Sequence, residues 1–323
     1  MKDFAGRIAV ITGGGTGMGR ELARQLMAEG CSVAMCDVSV ANMAETIALC
    51  EAARPPQGAK ITAHLADVSD EAQVQRFARE VAAQHDTDKI HLLFNNAGIA
   101  GGGSMIVDDR AQWEKTFNVC WGGVYHGVRA FLPMLMAADE ARIVNTSSVN
   151  GFWASLGPQV AHTAYAAAKF AVKGFTEALI TDLRLNAPHV KCSVVMPGHI
   201  GTSIIANSRK VLTGSEADTL STDDLAYARE RIAASGVDAA RLTDEVIQAL
   251  AAEQHRRFLE EAPTTAAQAA TIILDGVRAD RWRILVGDDA RWLDARVREA
   301  PEDAYESAFF QDLAANVGWR IGS

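Results

Sequence analysis

The stretch TGGGTGMG, residues 12–19, decides the fold of this 323-residue chain. It follows a short apolar run, residues 7–12, of the kind that forms a buried parallel strand. Residues 20–29 then have helix-forming composition, and Gly30 ends that helix. Glycines in such a turn let the backbone approach a pyrophosphate, which lies at the positive end of the helix. The flanking strand and helix favour a dinucleotide site over a merely flexible loop.

A second predicted strand, residues 32–37, ends in an acidic residue. Asp37 lies 18 positions after Gly19 (37 − 19), close to the spacing of about 20 expected for a carboxylate that holds the ribose 2′-hydroxyl. Such a carboxylate repels a 2′-phosphate, and Val38 and Ser39, which follow it, are not basic. The pattern favours NAD over NADP. The alternative is that Asp37 caps the next helix.

Strands and helices continue to alternate along the chain. Alternation of this kind predicts a parallel, doubly wound sheet in three layers, a Rossmann fold, with ligands at the carboxyl ends of the strands. The further predicted strands are residues 60–65, 90–95, 142–148, 190–196 and 281–286, and the further predicted core helices include residues 41–53, 70–84 and 264–277.

Composition excludes several classes of function. The net charge of −9 argues against nucleic acid or anionic membranes as partners. No run of 18 apolar residues predicts a membrane span, and residues 1–4 lack the apolar core of a signal peptide. The five cysteines and eight histidines show no metal-ligand spacing. We therefore expect a cytoplasmic protein with reduced thiols and no metal.

Tyr165 and Lys169, in the stretch YAAAK, are four residues apart on a predicted helix. Side chains at this spacing lie on one face, one turn apart. A tyrosine titrates near pH ~10, and a nearby cation lowers that pKa toward the working range of an acid or base. The pair is a candidate proton-transfer device.

Six motifs stand in order between residues 12 and 202: TGGGTGMG (12–19), Asp67-Val68, NNAG (95–98), IVNTSS (143–148), YAAAK (165–169) and PGHIGT (197–202). On these motifs the chain resembles the short-chain dehydrogenase/reductase family, of the single-domain type, over about residues 5–202. The resemblance implies hydride transfer between the nicotinamide C4 and a carbinol carbon. It implies catalytic roles for Tyr165 as acid or base, Lys169 as the cation that lowers its pKa, and Ser148 as the residue that polarises the substrate oxygen.

The resemblance also implies how the cofactor is held. Lys169 would bind the ribose hydroxyls, and Ile200 and Thr202 the nicotinamide carboxamide. Family members are usually homodimers or homotetramers that pair through the helices of residues 110–136 and 163–186. The implied cofactor residues are Gly13, Thr16, Gly17, Met18, Gly19, Asp37, Val38, Asp67, Val68, Asn96, Ala97, Gly98, Tyr165, Lys169, Pro197, Gly198, Ile200 and Thr202.

Two features depart from the family pattern. Ser148 and Tyr165 are 17 residues apart (165 − 148), several more than is usual, with the extra residues in a loop at 151–163. Ser147 is the alternative to Ser148. Within the loop, Phe152-Trp153 either lines a substrate pocket or packs the loop.

The second departure concerns the asparagine that relays protons from the catalytic lysine in the family. Alignment on Trp113 and on residues 123–127 puts Cys120 at that position, whereas Asn118 requires a shifted register. A shift of two residues turns a helical side chain by about 200°, so the two alignments are incompatible. We favour Cys120. A thiol is a weak hydrogen-bond partner, so the relay would be altered.

The segment after Thr202 is longer than expected. Residues 203–263 contain two charged predicted helices, 222–234 and 242–261, joined by Ser235-Gly236. An enlarged lid here suits a bulky, largely apolar substrate that is shielded from water, although the helices could instead serve oligomer contacts. Residues 288–323 form a C-terminal extension, and we expect one catalytic domain over residues 1–323, with its core in 5–202 and 264–287.

The sequence thus predicts an NAD-dependent oxidoreductase that interconverts a secondary alcohol and a ketone. One rival is an NADPH-preferring carbonyl reductase. The other is a non-catalytic dinucleotide-binding regulator, which would tolerate Cys120 but has no need of Ser148, Tyr165 and Lys169 together.

Overall fold

Seven strands form the central sheet of the computed structural model, which describes residues 1–158, 160–214, 219–234, 238–319 and 321. They are β1 Ile8–Thr12, β2 Ser32–Asp37, β3 Ile61–Leu65, β4 Leu92–Asn95, β5 Ala141–Thr146, β6 Val190–Pro197 and β9 Arg283–Val286; the short β7 Ile200–Gly201 and β8 Thr264–Thr265 pair separately. The order in the large sheet is β3-β2-β1-β4-β5-β6-β9, and every pairing is parallel.

Helices cover both faces of this sheet. The α-helices are α1 Gly17–Ala28, α2 Val40–Ala52, α3 Glu71–Gln84, α4 Arg110–Phe117, α5 Gly123–Met136, α6 Thr163–Asn186, α7 Ile204–Thr213, α8 Thr222–Ala234, α9 Asp244–Glu260, α10 Ala266–Arg278, α11 Asp288–Glu299 and α12 Ser307–Val317. One apolar cluster joins α1, α2 and α10 to one face of the sheet, and a second joins α3, α5 and α6 to the other face. The predicted three-layer, doubly wound fold is confirmed.

The strands are largely apolar because the sheet is covered on both faces, and the buried Arg142 and Asn145 of β5 are hydrogen-bonded to Ser193 and Thr176. Every residue of β5 is buried, as expected for a central parallel strand. Most strand predictions agree with the structure within two residues. The predicted fifth strand, 142–148, ends at Thr146, so that Ser147 and Ser148 follow the strand at its carboxyl end.

The described part of the lid region contains three α-helices, α7, α8 and α9, rather than the two helices that the sequence predicted. α8 has the predicted bounds. α9 begins at Asp244 because the Thr243 hydroxyl accepts a hydrogen bond from the Val246 amide and caps the helix. α7 was not predicted. The predicted Ser235-Gly236 connection lies outside the described residues.

The C-terminal extension packs on the loop that follows Ser148. Trp153 is fully buried among the aromatic side chains of α12, and its Nε1 donates to the Ala304 carbonyl at 2.7 Å. Trp319 Nε1 donates to the Leu156 carbonyl at 2.9 Å. Of the two alternatives for Trp153, the structure shows packing of the loop.

No helix in the described part of the chain is long and apolar enough to cross a membrane.

Candidate active site

The glycine-rich turn has a backbone that tolerates little besides glycine. Gly13 and Gly17 have φ values of +68° and +54°, in the left-handed region that favours glycine. A Cβ on Gly19 would lie 2.0 Å from the Gly13 carbonyl oxygen. The turn leads directly into the N-terminus of α1, whose free N–H groups and dipole favour an anion.

A cavity of 570 Å³ opens beside this turn, within the usual size range of small-molecule sites. Many of the predicted cofactor residues line it, namely Gly13, Thr16, Gly17, Met18, Asp37, Val38, Asp67, Val68, Asn96, Ala97, Gly98 and Thr202. These residues come from separate segments of the chain. The parallel strands bring them together because their carboxyl ends meet at one edge of the sheet.

Asp37 fixes the turn rather than capping α2. Its Oδ2 accepts a hydrogen bond from the Gly15 amide at 3.0 Å, and its Oδ1 accepts one from the Ser39 amide at 3.0 Å. The cap of α2 is Ser39, whose hydroxyl accepts from the Asn42 amide at 3.3 Å. The carboxylate therefore stands in the cavity wall, held by two backbone N–H groups.

Asp67 is paired with a cation that the sequence did not point to. Lys115 of α4 donates to Asp67 Oδ2, and the Ser69 amide and hydroxyl donate to Oδ1 at 2.9 and 2.7 Å. Burial opposes ionisation of this carboxyl, but the hydrogen bonds from Lys115 and Ser69 leave the pKa of Asp67 below its usual value. Because Lys115 is 48 residues from Asp67, only the fold reveals this contact.

The NNAG motif is tied to the glycine-rich turn. The Thr12 hydroxyl accepts from the Asn96 and Ala97 amides at 3.0 and 3.1 Å, and Asn96 Nδ2 donates to the Thr12 carbonyl at 3.1 Å. Asn96 Oδ1 is buried and has no hydrogen-bond partner among the described residues. Asn96 thus joins the NNAG motif to the glycine-rich turn through its backbone and its side chain.

Helix α7 forms part of the cavity wall. Asn207 Nδ2 donates to the Thr16 hydroxyl at 2.9 Å, and the Ser208 hydroxyl accepts from the Ala100 amide at 2.8 Å. Ile204, Asn207, Lys210 and Val211 also line the cavity. Sequence reasoning missed these residues, although the apolar positions within residues 204–212 recur at helical spacing.

Tyr165 and Lys169 lie on one face of α6, as their spacing predicted. Lys169 is buried, and its Nζ donates to the Thr146 carbonyl at 2.8 Å. The same Nζ lies 5.2 Å from the centroid of the Tyr165 ring. His162, which the sequence analysis did not single out, packs its ring 4.7 Å from the Tyr165 ring. Burial lowers the pKa of His162 to about 4, so this ring is neutral at physiological pH.

Burial sets the acid strengths of the pair. Burial raises the pKa of Tyr165, the neighbouring Cys120 adds to this rise, and a hydrogen bond with Ser148 opposes it. Burial lowers the pKa of Lys169. Desolvation of the phenolate is the largest contribution, so the pKa of Tyr165 lies above its ordinary value; that Lys169 lowers this pKa stays a prediction.

Of the two serines that follow β5, Ser148 faces the tyrosine. Its side chain lies close enough to Tyr165 to lower the pKa of the phenol, and its hydroxyl accepts from the Asn150 amide at 3.1 Å. Ser147 is buried, and its hydroxyl donates to the Lys169 carbonyl at 2.7 Å. Ser147 is thus engaged by the backbone of α6, and Ser148 is the serine that lies beside Tyr165.

A short π-helix, Asn118–Gly122, interrupts the run from α4 to α5, a feature often found at functional sites. Cys120 is fully buried and its Sγ donates to the Ile99 carbonyl at 3.2 Å, whereas Asn118 is exposed. A Cβ built on Gly98 would lie 3.5 Å from Lys169 Nζ and 3.6 Å from Cys120 Sγ. The Cys120 thiol and the Lys169 ammonium therefore both lie beside Gly98 of the NNAG motif.

The other predicted cofactor residues do not line the cavity. Gly19 packs against the Gly13 carbonyl, Ile200 is buried in the core, and Gly198 packs against Asp289. Tyr165, Lys169 and Pro197 also lie outside the cavity wall. Among the described residues, no group of three or more His, Cys, Asp or Glu side chains could hold a metal ion.

These residues fit a nicotinamide dinucleotide, since an anion-binding turn and a carboxylate border one cavity. The sequence also matches the family model for short chain dehydrogenases over residues 7–212. The chain belongs to the short-chain dehydrogenase/reductase family. It is an oxidoreductase with a nicotinamide nucleotide cofactor.

Individual relatives extend the match beyond the family model. The Mycobacterium tuberculosis protein SadH, named only as an oxidoreductase, is 33% identical over 92% of this chain and 92% of its own length. A Burkholderia phymatum short chain dehydrogenase/reductase in complex with NAD is 32% identical, with a TM-score of 0.73 over 94% of this chain and 95% of that one. A metagenomic short-chain oxidoreductase in complex with NADP is 30% identical, with a TM-score of 0.54 over 60% of this chain and 83% of that one.

Proposed function

We propose that this protein is an NAD-dependent dehydrogenase that interconverts a secondary alcohol and a ketone. The observation that carries the proposal is the contact between Ser148, Tyr165 and Lys169 at the edge of the sheet that also bears the dinucleotide cavity. The bound cofactor supplies the hydride acceptor or donor. The chain's own residues then have to position the substrate oxygen and move its proton.

Tyr165 is the group that we assign to the proton. It lies beside Ser148, whose hydroxyl lowers the pKa of the phenol and is able to hold a substrate oxygen. Lys169 stands behind the ring and is fixed by the Thr146 carbonyl. A cation in this position stabilises the phenolate once the proton has been taken.

The raised pKa of Tyr165 gives the reaction a pH dependence with a definite sign. Alcohol oxidation needs the phenolate as base, so its rate rises as the pH is raised toward that pKa. Ketone reduction needs the protonated phenol, which dominates at neutral pH. Oxidation at alkaline pH is therefore the direction in which turnover is most easily detected.

Asp37 supports NAD over NADP. Its carboxylate lies in the cavity wall, and the neighbouring Val38 is exposed and apolar. A 2′-phosphate would meet the negative charge of Asp37. Lys115, a cation in the same wall, is already paired with Asp67. The Asp37 carboxylate thus opposes a 2′-phosphate on the ribose.

The lid region supports a bulky and largely apolar substrate. The Tyr227 hydroxyl of α8 donates to Asp108 Oδ1 at 2.9 Å, which joins the lid to the loop after the NNAG motif. On that loop Met105, Ile106 and Val107 are exposed. A lid that spans this loop could shield an apolar substrate during hydride transfer.

Assembly and compartment are part of the proposal. Tyr125 on α5 and Phe170 on α6 are exposed, which supports a homodimer or homotetramer that pairs through these helices. The five cysteines are free and buried, which suits a cytoplasmic protein. We treat the lid and the C-terminal extension as parts of one catalytic domain.

The test is NADH formation at alkaline pH with NAD and a size-graded panel of secondary alcohols, in the wild type and in Tyr165→Phe. We expect turnover to fall by about 10²- to 10⁴-fold in the variant, the range that general acid–base catalysis contributes. NADP in place of NAD should be the poorer acceptor. Tight NADH binding without turnover on any alcohol would instead favour the non-catalytic regulator.

A further inference from the structure

A buried carboxylate lies directly beneath the PGHIGT loop. Asp289, in the first turn of α11, is only 2% exposed. Its Oδ2 accepts from the His199 amide at 2.6 Å, and its Oδ1 accepts from the Ala290 amide at 2.8 Å. One carboxylate therefore connects the C-terminal extension to the loop that follows β6.

Two glycines make room for this carboxylate. A Cβ on Gly198 would lie 2.2 Å from Asp289 Oδ2, and a Cβ on Gly287 would lie 2.3 Å from Asp289 Oδ1. Both separations are far shorter than van der Waals contact. The loop and the carboxylate are thus fitted to each other, and neither is free to shift alone.

The same loop is held from the lid side by His199. Its Nε2 donates to the Phe258 carbonyl of α9 at 2.8 Å, and its ring packs 4.5 Å from the Phe258 ring. Gly201 packs against α9 as well, since a Cβ there would lie 2.4 Å from the Leu259 carbonyl oxygen. His199 therefore connects to α11 through its backbone and to the lid through its side chain.

Beyond this held segment the chain reaches the cofactor cavity. Thr202 lines the cavity, and its side chain lies close to Gly17 of the glycine-rich turn. We propose that Asp289 is a positioning residue that, with His199, fixes residues 198–202 where they contact the nicotinamide half of the cofactor. This inference rests on the proposed placement of the nicotinamide beside Ile200 and Thr202.

The variant Asp289→Asn tests the proposal with little change of shape. Asparagine offers one acceptor oxygen, so its amide group would face one of the two backbone N–H donors and leave it unsatisfied. The loop should then lose its fixed position while the glycine-rich turn, which has no contact with Asp289, keeps its own. Asp288→Asn is the matched control, because the neighbouring side chain is 95% exposed.

The measurement compares binding of NADH with binding of ADP-ribose, which lacks the nicotinamide. For Asp289→Asn we expect NADH affinity to fall by about tenfold, the equivalent of one lost hydrogen bond. ADP-ribose affinity should stay within about twofold of the wild type, and Asp288→Asn should change neither ligand. Gly198→Ala, which pushes a methyl group toward the carboxylate, should also lower NADH affinity and keep ADP-ribose affinity. This variant tests the positioning role if Asp289→Asn does not fold.

An equal loss of both ligands, or no loss of either, would overturn the positioning role. The readout is binding and does not depend on turnover. A chain that oxidised no alcohol would therefore refute the proposed reaction while leaving this comparison intact.

Discussion

Replacement of Trp153 by alanine tests whether the C-terminal extension holds the loop between Ser148 and Tyr165. The side chain is 0% exposed and packs against Phe309, Phe310 and Trp319. Removal of a buried tryptophan costs about 3–5 kcal/mol, and loss of its hydrogen bond to the Ala304 carbonyl adds about 1 kcal/mol. The expected loss of unfolding free energy is therefore about 4–6 kcal/mol.

Thermal unfolding converts this loss into a shift of Tm. A chain of 323 residues has an unfolding entropy of about 0.7 kcal/mol/K. The expected shift is therefore a fall of about 6–9 °C. The control is Trp282→Ala, because this tryptophan is 45% exposed and should shift Tm by less than about 2 °C.

Activity gives the second measurement on the same variant. Because Trp153 lies in the loop between Ser148 and Tyr165, we expect Trp153→Ala to lower kcat and to leave NADH affinity unchanged. A Tm shift no larger than that of Trp282→Ala would refute the packing argument. A normal kcat in a destabilised variant would show that the extension stabilises the fold without positioning the catalytic loop.

Two further predictions concern stability. Burial lowers the pKa values of His85, His91, His162 and His199, to about 4 for His85 and His162. Below pH ~6.5 the unfolded chain therefore binds protons that the folded chain does not. Tm should fall as the pH is lowered from about 7 to about 5. A Tm that does not change over this pH range would contradict the argument. Gly174 is exposed on α6 with nothing within 4 Å of an added Cβ, so Gly174→Ala should raise the free energy of unfolding by about 0.5–1 kcal/mol. A fall in Tm instead would indicate that a second copy approaches this face.

The sequence alone determined the features that depend on near neighbours in the chain. The apolar runs predicted the strands because a sheet covered on both faces favours apolar side chains. The glycines of TGGGTGMG predicted a turn between strand and helix, and the structure has positive φ at Gly13 and Gly17, a conformation that few other residues adopt. The interval from Tyr165 to Lys169 placed both side chains on one helical face because the helix repeats every 3.6 residues.

Only the tertiary structure decided the contacts between residues far apart in the chain. Lys115 reaches Asp67 across 48 positions, and Asp289 reaches His199 across 90. No local pattern encodes such pairs, because the packing of whole elements sets the separation of their atoms. The raised pKa of Tyr165 has the same origin, since the spacing to Lys169 is local but desolvation depends on everything packed around the phenol.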